Sequence, residues 1–104
     1  MDDYKPLMPN LTEFKGPKIV YVYSPTCIAC KMRGPGFDAQ AKGLKNIYSF
    51  NGKAHSDEFE KNTGTRIKFF PSVYGFSKSG RVVLIEGNTN RKQLENILIA
   101  LEKT

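Results

Sequence analysis

The sequence predicts an α/β protein in which one mixed β-sheet is covered by helices, and three observations carry that reading. Short β-branched and aromatic runs alternate with segments whose apolar residues recur at helical spacing. Two of those runs, near the C-terminal end, stand close enough to form a hairpin. The 104 residues, 39% hydrophobic and 25% charged, suit a single domain over 1–104, large enough to fold around a core without a metal or disulfide staple.

Ile19-Val20-Tyr21-Val22-Tyr23, bounded by Gly16-Pro17 and Ser24-Pro25, has the composition and flanks of a buried strand. A helix is expected from Cys27. Gly34-Pro35-Gly36 interrupts its pattern, and Phe37, Ala41 and Leu44 then continue at helical spacing. One helix kinked near Pro35 explains this, and so does a helix that stops at Gly34 and restarts. Ile47-Tyr48-Ser49-Phe50-Asn51 is a second strand. Ser56-Asp57-Glu58 opens a helix with acidic groups in its first turn, and Gly64 ends it. The runs 72–76 and 81–85 flank Ser77-Lys78-Ser79-Gly80 as a hairpin. Leu94, Ile97, Leu98 and Leu101 line one face of a last helix, capped by Thr89 or Asn90. The order is β-α-β-α-β-β-α, with no internal repeat, low-complexity tract or linker.

Composition excludes several functions. No apolar run approaches the roughly 18 residues of a membrane span. The N-terminus, Met1-Asp2-Asp3-Tyr4-Lys5-Pro6, lacks the apolar centre of a secretory signal, so a cytoplasmic setting is expected. Net charge is +6, but Lys and Arg are scattered and form no basic stripe with interleaved aromatics. Nucleic acid is therefore not an expected partner, and acidic proteins are favoured ones. A zinc site needs two ligands beyond the two cysteines, and His55 is the only histidine; no metal is expected. His55 itself reads as a solvated or capping residue.

The two cysteines, Cys27 and Cys30, stand two residues apart directly after a strand and a Ser-Pro-Thr turn. That spacing is too short for an ordinary staple and reads as a redox dithiol. Cys27 falls at the helix N-terminus, where free N–H groups and the helix dipole favour a thiolate. Cys30, one turn on, is placed to resolve a mixed disulfide on Cys27. Lys31 and Arg33 are expected to stabilise the thiolate further. Two buried, inert thiols are the alternative, which the polar turn before the pair argues against.

Several motifs around the pair resemble the thioredoxin family. They are Lys31-Met32 followed by Pro35, Ile67-Lys68-Phe69-Phe70-Pro71-Ser72, Lys78-Ser79-Gly80, and Gly87; the likeness covers about residues 17 to 101. It implies the thioredoxin fold, a central mixed sheet flanked by helices, here with a shortened N-terminal part. Pro71 stands in the place of the family's cis-proline, and the Phe70 backbone would pair with a substrate's extended chain. From composition alone Pro71 could equally open a strand. Thr26, Ile28, Ala29 and Gly87 would complete the substrate surface. Phe69, Phe70 and Tyr74 would add apolar contact or belong to the core. The resemblance implies a thiol–disulfide oxidoreductase acting as a monomer, with no cofactor beyond its own disulfide. Its partners would be protein disulfides and an enzyme that recharges the dithiol.

Departures from the family pattern bear on mechanism. Thr26 replaces the usual Trp, Ile28-Ala29 replaces Gly-Pro, and the family's buried acid aligns with Tyr21. Tyrosine, with an ordinary pKa of about 10, is a poor base, which leaves Cys30 to water or Lys53. Three functions compete: a dithiol reductase first, then a disulfide oxidant or isomerase, then a redox-silent binding module. A glutaredoxin is disfavoured, because neither Thr-Val before Pro71 nor a later Gly-Gly-Asp is present.

Overall fold

The structure, a computed structural model, describes residues 3–87 and 89–104. Its elements are β1 (Lys18–Tyr23), α1 (Ile28–Ala41), β2 (Ile47–Asn51), α2 (Ser56–Thr63), β3 (Ser72–Phe76), β4 (Val82–Ile85) and α3 (Arg91–Lys103). The four strands form one sheet in the order β2-β1-β3-β4. β1 runs parallel to β2, across the α1 connection, and antiparallel to β3, which pairs antiparallel with β4. A parallel pair needs such a crossover, whereas β3 and β4 need only the Ser77–Arg81 turn. That turn is closed by the Ser77 N–H donating to Arg81 O at 2.8 Å.

From Ile19 onward β1 is apolar and aromatic because it is central and covered on both faces. Alternation sends Ile19 and Tyr21 to one face and Val20 and Val22 to the other, each at most 2% exposed. The first face packs with Cys30, Ala41, Leu94 and Leu101 beneath α1 and α3. The second packs with Phe50, Phe59, Tyr74 and Phe76 on the α2 side. Fully burying a side chain of this kind is worth roughly 1.5–3 kcal/mol, so the sheet holds two cores and cannot lose either cheaply.

α1 is one unbroken helix with Pro35 inside it, which decides between the two expectations for that segment. Its most buried residues are Cys30, Gly34, Asp38 and Ala41, a stripe at spacings of four, four and three. Phe37 is only half-buried and Leu44 lies beyond the helix end, so the expected apolar face is displaced by a polar and small one. α2 opens after His55, which is exposed, makes no side-chain cap bond, and stands 4.0 Å from Glu58. Gly64 closes α2 in the left-handed conformation (φ 71), its N–H donating to Glu60 O. Asn90, and not Thr89, caps α3 in a reciprocal pair with Gln93.

Among the described residues before β1 there is no helix and no regular strand. The segment nevertheless packs. Tyr4, Met8 and Leu11 are buried, and Asn10 bridges to Ser49 in parallel. Leu11 N–H donates to Ser49 O at 2.7 Å and Ser49 N–H to Pro9 O at 2.8 Å, along the outer side of β2. At the opposite edge β4 carries the exposed side chains of Val83 and Leu84.

Candidate active site

The turn after β1 delivers Cys27 to the start of α1. Its N–H donates to Ser24 O at 3.2 Å, and its backbone is extended (φ −75, ψ 123), the conformation of a helix cap. The sulfur does what a capping oxygen does elsewhere: it accepts the Cys30 N–H at 3.4 Å. Cys30 lies one turn on, fully buried, its own sulfur accepting the Ser24 N–H at 3.5 Å. Both thiols are free.

The environments separate the two thiols chemically. Burial opposes ionisation of Cys27, but bonds from the Cys30 side chain and from the N–H groups of Cys30 and Ala29 outweigh it and hold the thiol below its ordinary value. Burial pushes Cys30 up to about 12, against the opposing Ser24 N–H, with the neighbouring Cys27 adding to the rise. The groups that stabilise the Cys27 thiolate are thus backbone and thiol donors. Lys31 and Arg33, expected in that role, are not among them. Arg33 is exposed, and its charge acts on Tyr21 instead.

Opposite Cys27, the Phe70–Pro71 peptide bond is cis, and the Cys27 S–H donates to Phe70 O at 3.7 Å. Pro71 and Gly87 come together in the wall of one groove of ≈ 720 Å³ between α1 and the β3–β4 pair, with Tyr21 and Ser72 also in its lining. Thr26, Ile28 and Ala29 lie outside that groove. Met32 (77% exposed) and Phe69 (53%) bring exposed apolar side chains to the groove lining, and Ile28 (69%) is exposed outside it. Tyr74 belongs to the core at 4% exposed, and Phe70 is half-buried between the two clusters. Lys53 donates to Thr26 Oγ1 at 3.3 Å, an exposed contact on the rim.

Asp38 and Tyr4 escaped the sequence reading. Asp38 is 5% exposed, accepts the Tyr4 O–H at 3.0 Å and the Leu7 N–H at 3.3 Å, and lies on the buried stripe of α1 with Cys30. Burial raises its carboxyl above the ordinary range, with the Tyr4 and Leu7 bonds working the other way. The available signal was Cys30, Gly34 and Asp38 at intervals of four, which puts an acid and a thiol on one helical face.

A mixed sheet with a CxxC pair at the start of the following helix, facing a cis-proline turn, defines a thioredoxin-fold protein. Comparison with known family models and with curated protein sequences finds no match. Solved structures do share the fold. The Trx4 domain of ERdj5 is 20% identical with a TM-score of 0.60, covering 96% of this chain and 100% of that one. The J-Trx1 fragment of ERdj5 is 22% identical (TM-score 0.58), covering 82% of this chain and 41% of that one. The first thioredoxin domain of mouse protein disulfide-isomerase A4 is 14% identical (TM-score 0.58), with coverage of 81% and 64%. The chain thus spans only part of the latter two. No helix among the described residues is long and apolar enough to cross a membrane.

Proposed function

We propose that the chain is a thiol–disulfide oxidoreductase that reduces disulfides of partner proteins through Cys27 and Cys30. The observation that carries this reading is the placement of the Cys27 sulfur at the head of α1, bonded by the Cys30 N–H, with Cys30 fully buried one turn beneath. The Cys27 thiolate attacks one sulfur of the partner disulfide. A Cys27–partner bond forms, the partner S–S bond breaks, and the departing sulfur carries off the electron pair and takes a proton from solvent. Cys30, deprotonated, then attacks the Cys27 sulfur. The Cys27–Cys30 bond forms and the second partner sulfur leaves, so the partner gains two electrons and the dithiol becomes a disulfide.

The groove holding Pro71 and Gly87 would seat the partner chain, with the Phe70 backbone pairing to it. Thr26, Ile28 and Ala29 would meet it at the rim, and net charge +6 favours acidic partners. The protein acts as a monomer, needs no cofactor beyond its own disulfide, and depends on a second dithiol enzyme to recharge it. Net reduction suits a reducing compartment such as the cytoplasm.

One observation favours a second reading as disulfide oxidant or isomerase. The hydrogen bonds that hold the Cys27 thiol low stabilise the reduced form, which raises the potential of the couple. Equilibration against glutathione decides. A potential near about −270 mV supports the reductase, and one near about −180 mV or higher supports the oxidant or isomerase. If no reversible couple forms and Cys27→Ser retains its partner, the fold serves as a binding module and both redox readings fail.

A further inference from the structure

The oxidoreductase reading, on which this inference rests, leaves the exposed cations around the dithiol without a task, because backbone and thiol donors stabilise the Cys27 thiolate. Three of those cations gather on one side of Cys27. The strand order β2-β1-β3-β4 puts the end of β2 on one side of β1 and the groove holding Pro71 on the other. On the β2 side, the turn after Asn51 brings in Lys53, whose ammonium donates to Thr26 Oγ1 at 3.3 Å, one residue before Cys27. Arg66 and Lys68, both exposed, stand on the loop that leads to Phe70, and the Phe70 carbonyl accepts the Cys27 S–H.

Gly52 shows that these two segments are seated against each other. A Cβ there would lie 2.7 Å from the Phe70 ring and 2.9 Å from Ile67, so glycine is what lets the Lys53 turn close onto the loop of Arg66 and Lys68. None of the three cations is held by an acid: among the described residues the one ion pair is His55 with Glu58, at 4.0 Å. Like charges on adjoining segments repel one another, and an anionic partner reverses that cost. The groove side differs, since Arg33 shares its lining with the carboxylate of Glu86 and with exposed Met32 and Phe69.

We propose that Lys53, Arg66 and Lys68 form a docking ledge for a carboxylate-rich stretch of the partner protein, on one flank of the cysteine to be reduced. The other flank enters the groove. This preference is one-sided, unlike the attraction that net charge alone exerts on any acidic protein. A chain paired to the Phe70 backbone crosses Cys27 from ledge to groove. Acids on its ledge flank meet three uncompensated cations, whereas acids on its groove flank meet Glu86 as well as Arg33. Carboxylates on the ledge steer the encounter and hold the disulfide over the Cys27 sulfur. The occupant is a polypeptide because the ledge adjoins the surface on which a disulfide must sit, and nucleic acid carries no disulfide.

The test mixes the reduced chain with three short peptides, each joined through its cysteine to a chromogenic aryl thiol. One carries Asp and Glu before the cysteine, one carries them after it, and one has Asn and Gln in both places. Cys27 attacks the peptide sulfur, the Cys27–peptide bond forms, and the aryl thiolate leaves with the electron pair of the broken bond. Its colour in a stopped-flow instrument gives the rate. One acidic peptide is expected to react about tenfold faster than the neutral one at low ionic strength, and the other acidic peptide to stay near the neutral rate. Salt should erase the gain, and in Lys53→Gln/Lys68→Gln the ratio of acidic to neutral rates should fall toward one. Equal rates for all three peptides, an equal gain for both acidic ones, a gain that survives high salt, or a ratio the double variant leaves untouched would overturn the proposal. So would a single-stranded oligonucleotide that suppresses the gain more strongly than a cysteine-free acidic peptide of equal charge, since the ledge would then be a phosphate site. A wild-type chain that releases aryl thiol from none of the peptides overturns the proposed function itself, a different result from three equal rates.

Discussion

Cys27 and Cys30 share a side chain and an α-helix yet ionise in opposite directions, because one caps the helix and the other lies in the core. Only thiolate reacts with an alkylating reagent. At neutral pH, mass spectrometry of the alkylated reduced chain should therefore find Cys27 labelled and Cys30 spared; equal, slow labelling of both would show that the cap does not act on the sulfur. Asp38 makes a second prediction, about stability. Its pKa is higher folded than unfolded, so the stabilisation it gives is present below the ordinary carboxylate value of about 3.9 and is lost as pH rises through the folded one. Asp38→Asn should gain stability relative to wild type on going from acid to neutral pH. Urea unfolding at both ends of that range measures it, and a difference independent of pH would mean the carboxyl is not perturbed.

At the scale of elements, α1 and the N-terminal segment depend on each other. The helix offers Gly34 as a seat and Asp38 as a partner, and the segment supplies Tyr4 to fill them. Gly34→Ala should destabilise by about 1–3 kcal/mol, the usual cost of overpacking. Adding Tyr4→Ala should remove most of that penalty, since the clash is with the Tyr4 ring; thermal melts of the four members of the cycle give the coupling. Additive losses would show that the ring is not what Gly34 accommodates. This pairing was not legible in sequence. Tyr4, Met8 and Leu11 stand at helical spacing, but Pro6 and Pro9 among them forbid a helix, so nothing local announces that they are buried. Asn90 was legible as a cap because its chemistry is local, and α1 was legible as far as the cysteines. Its buried Asp38 was not, because an acid at helical spacing reads as solvated until something is known to cover it.

For the molecule as a whole, the two cores differ in kind. The α2 side is aromatic, with Phe59 fully buried and its ring 5.1 Å from that of Tyr74 and 5.6 Å from that of Phe50. Phe59→Ala should cost about 3–5 kcal/mol, a large part of the 5–15 kcal/mol that holds a typical domain together. Denaturant unfolding would read this as a fall in midpoint at unchanged slope, and a loss under about 1 kcal/mol would mean that the site collapses around the gap. The fold could be foreseen at this scale because every strand and every helix carried its own pattern. The residue sets that join elements could not, since they are fixed by contacts between distant parts of the chain. The segment along β2 has one more consequence. With main-chain groups at the middle of that margin already engaged, the border left open along its length among the described residues is that of β4. Edge-to-edge growth therefore has one route, β4 against β4 of a second copy. That union is two-fold, uses up the β4 border on both sides and stops at a pair.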